Sequence, residues 1–501
     1  MSLKASDYAS RRVDPDDAEA HDELGAREVG KPKRDALRVD VVSCHSSFDY
    51  YAGLVQSVHG VRLDQGPIEA RVVYEPYGVV AAILPLNWPP IHFSKKCAPA
   101  LAVGNTVVVK PAEQAPLTVL RLVEIVNQAL PPGVINAVNG IGAGAALASH
   151  RRVERISFTG ATATRRKVME SAATNLTFAT LELGGKNARL VLDDADLEEA
   201  VAIAIEGTFY NQGEACTSTS RILVHDSLYD EFAQRFVATT SQLVIGHPLA
   251  ADSDIGPMVD ERQRERVARY SRVGVEEGTT LLDEGTIPED PSLEGGIFVA
   301  PTVLGDVTRT MTVARDEIFG LVACLMRYSS GDEAVEVAND ADYGLTAANC
   351  TRDEARAARL AERLEVGMVF VNNYTRRNFI GSPFGDVKGS GYGGEYGPET
   401  LHEFVRAKKV RFPSGRGAIP VWPPRLSASG PSDSLRRATL IDRSAISSTS
   451  AKSRRAQARR APSGPTIFPS PPPTGPVRRQ HRRRIVEGDL RRLQRSRTTS
   501  S

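Results

Sequence analysis

The sequence predicts an α/β protein built on parallel, doubly wound sheets. Three observations predict it. Short β-branched runs alternate with longer helical patterns from about residue 78 onward. The 501 residues carry 41% apolar and 25% charged side chains, the balance of a globular chain long enough to bury a large core. No internal repeat at solenoid periods is present to suggest an array instead.

The elements follow in order. Residues 1–30 are polar and poorly patterned. HGVRLDQGPIEARVVYEPYG (59–78) reads as a hairpin turning at Gly66–Pro67. GVVAAILPL (78–86) is a buried-strand run, residues 91–103 and 116–130 have helical periodicity, and NTVVVKP (105–111) lies between them as a strand. RISFTG (155–160) and FATLELGG (178–185) are further strands around a helical stretch. After the glycine pair Gly184–Gly185 a second block begins, with a helix over 197–210, a strand over 221–225 and a helix over 227–243. Residues 331–363 read as mostly helical, GMVFVN (367–372) as a strand and HEFVRAKKVRF (402–412) as a lone terminal strand. Strands joined by helices imply a parallel sheet whose ligands sit at the carboxyl ends of its strands.

The net charge of +1 hides an asymmetry. Residues 414–501 hold 19 basic and 4 acidic side chains; the first 413 hold 43 basic and 57 acidic. Segments such as KSRRAQARR (452–460) and the Pro/Ser-rich stretches around it cannot bury enough apolar surface to offset their ordering entropy, so 424–501 reads as a disordered basic tail. Two readings stand for it: a neutral extension, or a tether to nucleic acid or another anionic surface. No run of about 18 apolar residues predicts a membrane span, and the start lacks the apolar stretch of a secretory signal. The five scattered cysteines include no CxxC pair, which argues against a disulfide framework or a metal site and suits a reducing, cytoplasmic setting.

Chemistry concentrates in LELGGKN (181–187) and NQGEACTSTSR (211–221). A glutamate at a strand end meets two glycines that let backbone approach a ligand. Cys216 lies in a small-residue loop read as leading into a helix, whose N-terminus would lower a thiol pKa. A thiol with a carboxylate base is the minimum for covalent catalysis followed by hydrolysis. NGIGAGAAL (139–147) looks like a dinucleotide fingerprint, but its spacing is GxGxG, so a short turn into a helix is the better reading.

PLNWPP (85–90), VVKPAEQAPLT (108–118), FTGAT (158–162), LELGGKN, the Cys216 loop, DEIFG (316–320), GMVFVNN (367–373) and PFGDVKGSG (383–391) occur in one order. Their order and spacing resemble the NAD(P)-dependent aldehyde dehydrogenase superfamily over roughly residues 22 to 413. The resemblance implies a Rossmann-type cofactor domain (1–57 and 78–184), a catalytic domain (185–401) and a small β oligomerisation arm (58–77 and 402–413). It implies Cys216 as nucleophile, Glu182 as general base, and Asn87 with the Cys216 amide as oxyanion hole. It places cofactor contacts at Ile83, Lys110, Glu113, Gly142, Phe158, Gly160, Ala161, Leu183, Gly184, Glu317 and Phe319, with no metal. Glu113 would repel a 2′-phosphate, which favours NAD over NADP. The partners implied are a small-molecule aldehyde and further copies of the chain, as a homodimer or homotetramer.

Several positions depart from the family pattern. Ala161 stands for a serine, Arg165 and Asp386 for glycines, Leu86 for a tryptophan, Glu214 for a glutamine, Leu321 for a proline and Gly394 for an arginine. Arg165 would block the pyrophosphate or pair with it, and Glu214 near the thiol would raise the thiol's pKa. The chain also starts later than the family does. These departures sustain a second reading, a catalytically impaired remnant of such an enzyme. Substrate choice is open. Small uncharged neighbours of Cys216 offer no partner for a second carboxylate, and Tyr210, Trp88 and Phe379 suggest an apolar or aromatic aldehyde.

Overall fold

The computed structural model describes residues 23–374 and 380–422. Phe379 and nearly all of the basic tail, and with them the tether and tunnel expectations placed there, lie outside the described residues. The described residues up to Gly417 form one compact unit.

In this unit, helix α1 (Val42–Leu54) precedes a hairpin of β1 (Val61–Gln65) and β2 (Ile68–Pro76). The chain then alternates: β3 (Val79–Ile83), α2 (Pro89–Ala102), β4 (Thr106–Lys110), α3 (Leu117–Asn127), β5 (Ile135–Ala137), α4 (Ala143–Ala148), β6 (Arg155–Thr159), α5 (Thr162–Asn175) and β7 (Phe178–Glu182). Strand β3 shows why this block folds as it does. Val80 and Ala82 pack with Phe93 of α2 and Val119 of α3 on one face. Ala81 and Ile83 pack with Ile156 and with Val168 of α5 on the other. A continuous apolar run is what a strand covered on both faces requires.

The second block runs β8 (Ala188–Val191), α6 (Leu197–Phe209), β9 (Arg221–His225), α7 (Tyr229–Thr240), α8 (Glu261–Glu276), β10 (Thr280–Glu284), β11 (Thr302–Gly305), β12 (Val322–Tyr328), α9 (Gly331–Asn339), β13 (Thr346–Cys350), α10 (Glu354–Ala361) and β14 (Met368–Val371). Of helices α6 to α10, all but α7 start at side-chain caps: for example, Asp260 accepts from the Gln263 amide at 2.8 Å and Asp353 from the Arg356 amide at 2.9 Å. Short β15 (Gly391–Tyr392) and β16 (Val405–Pro413) close the fold.

Among the described residues the main sheets are three. The first, in the order β15–β7–β6–β3–β4–β5, is parallel apart from β15, which pairs antiparallel with β7. The second, β10–β11–β12–β9–β8–β13–β14, is parallel apart from its edge strand β10. The third joins β1, β2 and β16, all antiparallel, with β2 and β16 in register from Ile68↔Pro413 to Pro76↔Val405. The expected hairpin turn is present, with Gly66 at φ 70°.

One expectation is corrected. The stretch read as mostly helical over 331–363 is helical only at its ends. Between α9 and α10, β13 is buried along its whole length between β8 and β14. Its short TAANC run carries no period that separates a strand from a helix, and its place in the middle of the sheet decides.

Candidate active site

A cavity of about 560 Å3 opens at the carboxyl ends of β3, β4, β6 and β7. Ile83, Lys110, Glu113, Gly142, Phe158, Gly160, Ala161, Leu183, Gly184, Glu317 and Phe319 all line it, as do Asn87 and Cys216. Strand ends explain the convergence: Ile83, Lys110 and Phe158 stand side by side in register across β3, β4 and β6. Gly160 and Ala161 then lead into α5, whose 14 residues turn a positive N-terminus toward the cavity. Gly142 adopts φ 89° to start α4, the short turn into a helix read from the GxGxG spacing. Lys110 Nζ and Glu113 Oε1 pair at 2.5 Å, with the Glu113 side chain 44% exposed.

Glu317 comes to this wall from the second block. Its Oε1 accepts the Gly185 amide at 3.1 Å, and burial pushes its carboxyl up to about 7. Its carboxylate lies so close over Gly184 that any side chain there would collide with it. Two residues that the sequence reading missed hold the segment. Gln263 Nε2 donates to the Phe319 carbonyl at 2.6 Å, and Arg266 Nε donates to the Ile318 carbonyl at 3.1 Å. Both project from α8, a polar surface helix with no motif to single it out.

A second cavity, of about 530 Å3, meets the first at Cys216. Trp88, Ile91, His92 and Lys95 line it, four positions on one face of α2 and its N-cap. Phe370, Tyr374, Phe384 and Tyr396 line it from other elements. Trp88 was expected here; Tyr210 is not in this wall.

The Cys216 loop is held from several sides. Asn187 Nδ2 donates to the carbonyls of Cys216 at 2.8 Å and Ser218 at 2.9 Å. Asn87 Nδ2 donates to the Glu214 carbonyl at 3.0 Å, and Asn211 Nδ2 to the Asn87 carbonyl at 3.2 Å. The helix expected after Cys216 does not form: turn and loop residues run directly into β9. The Thr- and Ser-rich CTSTSR segment feeds a β-branched strand, so the residues that follow Cys216 supply no helix N-terminus to its thiol.

Glu182 ends β7 opposite Gly391 of β15 and lines neither cavity. It is 2% exposed, and neither carboxyl oxygen has a hydrogen-bond partner. Burial, then the charges of Glu395 and Asp386, push its carboxyl well above the usual range. Nearby, Lys96 Nζ donates to Glu395 Oε1 at 2.7 Å while Lys95 Nζ stands 3.2 Å from Glu395 Oε2. Burial would raise the Glu395 carboxyl, but Lys96 and Lys95 hold it down at about 2.

Two departures from the family pattern take physical form here. Arg165 neither blocks the cavity nor lines it; its guanidinium donates to the Gly389 carbonyl at 3.1 Å. Glu214 is fully buried and accepts from the Val259 amide at 3.3 Å, and burial pushes its carboxyl well above the usual range.

The comparisons with known proteins agree with this architecture. The aldehyde dehydrogenase family profile matches residues 15–410. Aldehyde dehydrogenase citD of Monascus ruber is 46% identical over 397 residues, 79% of each chain. Retinaldehyde dehydrogenase 3 of Homo sapiens is 40% identical over 400 residues, covering 78% of this chain and 77% of its own. Among solved structures, a putative aldehyde dehydrogenase from Burkholderia cenocepacia superposes with TM-score 0.81 at 38% identity, over 84% of this chain and 86% of its own. PnpE from Pseudomonas sp. WBC-3 superposes with TM-score 0.79 at 37% identity, over 84% and 86%, and PnpE is also known in complex with nicotinamide adenine dinucleotide. The chain belongs to the aldehyde dehydrogenase family. It is an oxidoreductase that oxidises aldehydes with NAD(P), and the impaired-remnant reading is not favoured.

Proposed function

We propose that this chain converts an aldehyde to its free carboxylic acid through a thioester on Cys216, with NAD preferred over NADP. The observation that carries the reading is that Cys216 belongs to the walls of both cavities. A thiol at that junction meets a dinucleotide on one side and an aldehyde on the other. The first cavity fits a dinucleotide: strand ends and a helix N-terminus face it, and the close approach of Glu317 to Gly184 leaves the wall smooth.

The chemistry assigned to the residues is as follows. The Cys216 thiolate attacks the aldehyde carbon, and the carbonyl oxygen becomes an oxyanion between the Cys216 amide and the Asn87 side chain. Asn87 has two N–H groups, and the Glu214 carbonyl accepts from this amide on one side. The bound nicotinamide supplies the hydride acceptor. The resulting thioester is attacked by water, Glu182 takes the water's proton, and the carbon–sulfur bond breaks to release the acid and restore the thiolate. Glu317 and Phe319 position the nicotinamide end, and Lys110 with Glu113 the adenosine ribose. Glu113 accepts from free hydroxyls and repels a 2′-phosphate, which supports NAD.

The sheet carrying Ile83, Lys110 and Phe158 serves as the cofactor domain and the seven-stranded sheet as the catalytic domain. The β1–β2–β16 arm joins copies of the chain into a homodimer or homotetramer; its exposed Val61, Leu63, Val73 and Phe412 support that use. Among the described residues no helix is long and apolar enough to cross a membrane. The five free cysteines suit the cytoplasm.

The test is NADH formation by the purified chain with a panel of aldehydes. Cys216→Ala should lower turnover by at least about a thousandfold. Turnover that survives in Cys216→Ala would refute the thioester route.

A further inference from the structure

Resting on the reading of the second cavity as the aldehyde site, we propose that Lys95, with His92, selects aldehydes whose far end carries an anion, a carboxylate in the first instance, on an aromatic or flat body. Most of the cavity wall is aromatic or aliphatic, yet two polar side chains on one face of α2 look into it. Lys95 is 3% exposed, an expensive burial for an ammonium group. Its Nζ sits 3.4 Å from the Phe384 ring centroid and 4.6 Å from that of Tyr396, which stabilises the cation without neutralising it.

The carboxylate beside Lys95 is shared. Glu395 gives Oε1 to Lys96 at 2.7 Å and only faces Lys95 with Oε2. Two lysines therefore share Glu395, while burial and acidic neighbours push the other carboxyls nearby upward, Glu182 well above the usual range and Asp386 to about 7. One turn before Lys95, His92 is 3% exposed, and neither ring nitrogen has a hydrogen-bond partner. Burial, then Lys95, keeps this imidazole neutral, so one ring N–H is available to donate. A substrate carboxylate between the two would pair with Lys95 and accept that hydrogen bond. The aldehyde end would then point back toward Cys216, about 10 Å being the axial distance between positions 88 and 95 on a helix. The small residues beside Cys216 gave no such signal; the partner stands on another element.

The experiment compares three aldehydes of one shape on the purified full chain with NAD: 4-formylbenzoate, its methyl ester and 4-methylbenzaldehyde. Native protein should show kcat/KM for 4-formylbenzoate at least about tenfold above both neutral aldehydes, with the difference mainly in KM. Lys95→Met should remove that preference, Lys95→Arg should keep most of it, and His92→Phe should lose a smaller part. Equal or better use of the methyl ester by the native protein, or a preference that survives Lys95→Met, overturns the proposal. Benzoate and benzamide titrated against tryptophan fluorescence give a readout independent of turnover, since Trp88 lines the cavity and is one of two tryptophans in the chain. Benzoate should bind at least about tenfold tighter than benzamide to native protein and not to Lys95→Met; equal binding to native protein also overturns it. Failure of every aldehyde to give Cys216-dependent NADH would instead count against the thioester reading.

Discussion

The first cavity and the second share Cys216 but are assembled differently. The first is walled by residues that end adjacent parallel strands, with the Glu317–Phe319 loop added from across the fold. The second is walled by one face of α2, the end of β14 and the segment around Phe384, which lie far apart in the chain. Strand ends fix backbone and side chain together, so the cofactor wall tolerates little change. A helix face fixes only spacing, so single substitutions such as a lysine at position 95 can alter what the second cavity accepts while α2 stays in place.

Three substitutions probe this contrast, from the largest effect to the smallest. Asn87→Ala, in the first cavity's wall beside Trp88 of the second, removes one oxyanion donor. It should lower kcat by about 10²–10³-fold for neutral and anionic aldehydes alike, with NAD affinity nearly unchanged. A loss confined to one aldehyde class in steady-state assays would mean that Asn87 belongs to the aldehyde wall alone. Glu113→Gln touches only the cofactor wall. The ratio of kcat/KM for NADP over NAD should rise by about tenfold, with the preference among aldehydes unmoved; an unchanged ratio would sink the role given to Glu113.

Asp386→Gly acts through Glu182 and should give the smallest effect. Asp386 Oδ2 lies against Gly391, the strand partner of Glu182. Burial, then the charge of Glu395, raises the Asp386 carboxyl to about 7. Ionised Asp386 opposes ionisation of Glu182, so removing it lowers the pKa of Glu182 and makes the base available at lower pH. The limb of the kcat profile that rises with pH should move to lower pH by about one unit, roughly a tenfold gain on its acid side. A limb that stays in place, read in the steady-state pH profile, would mean that Asp386 does not face the base.

The strands and helices that read clearly from the chain are those whose apolar runs are long or capped. RILVH over 221–225 forms a strand with those bounds, and TVVVK and RISFT end where proline or glycine follows. TAANC misled because a short alanine-rich run carries no period that separates a buried strand from a helix. The loop after Cys216 misled for a related reason: small polar residues fit a helix start and a strand approach equally well.

The sequence by itself determined the order of the motifs, the strand ends that converge on the first cavity and the pairing of β2 with β16. The strand ends rest on local rules, period and turn chemistry, whereas the β2–β16 pairing and the cofactor contacts rest on the resemblance of the ordered motifs to the family. Only the tertiary structure decided what surrounds each charge. It brought Glu395 and Asp386 beside Glu182, buried Glu214 so that its carboxyl is pushed well above the usual range, turned Arg165 away to a backbone carbonyl, and set Lys95 and His92 in a largely aromatic and aliphatic cavity. Charge and burial depend on neighbours hundreds of residues distant, and no local pattern encodes a dielectric.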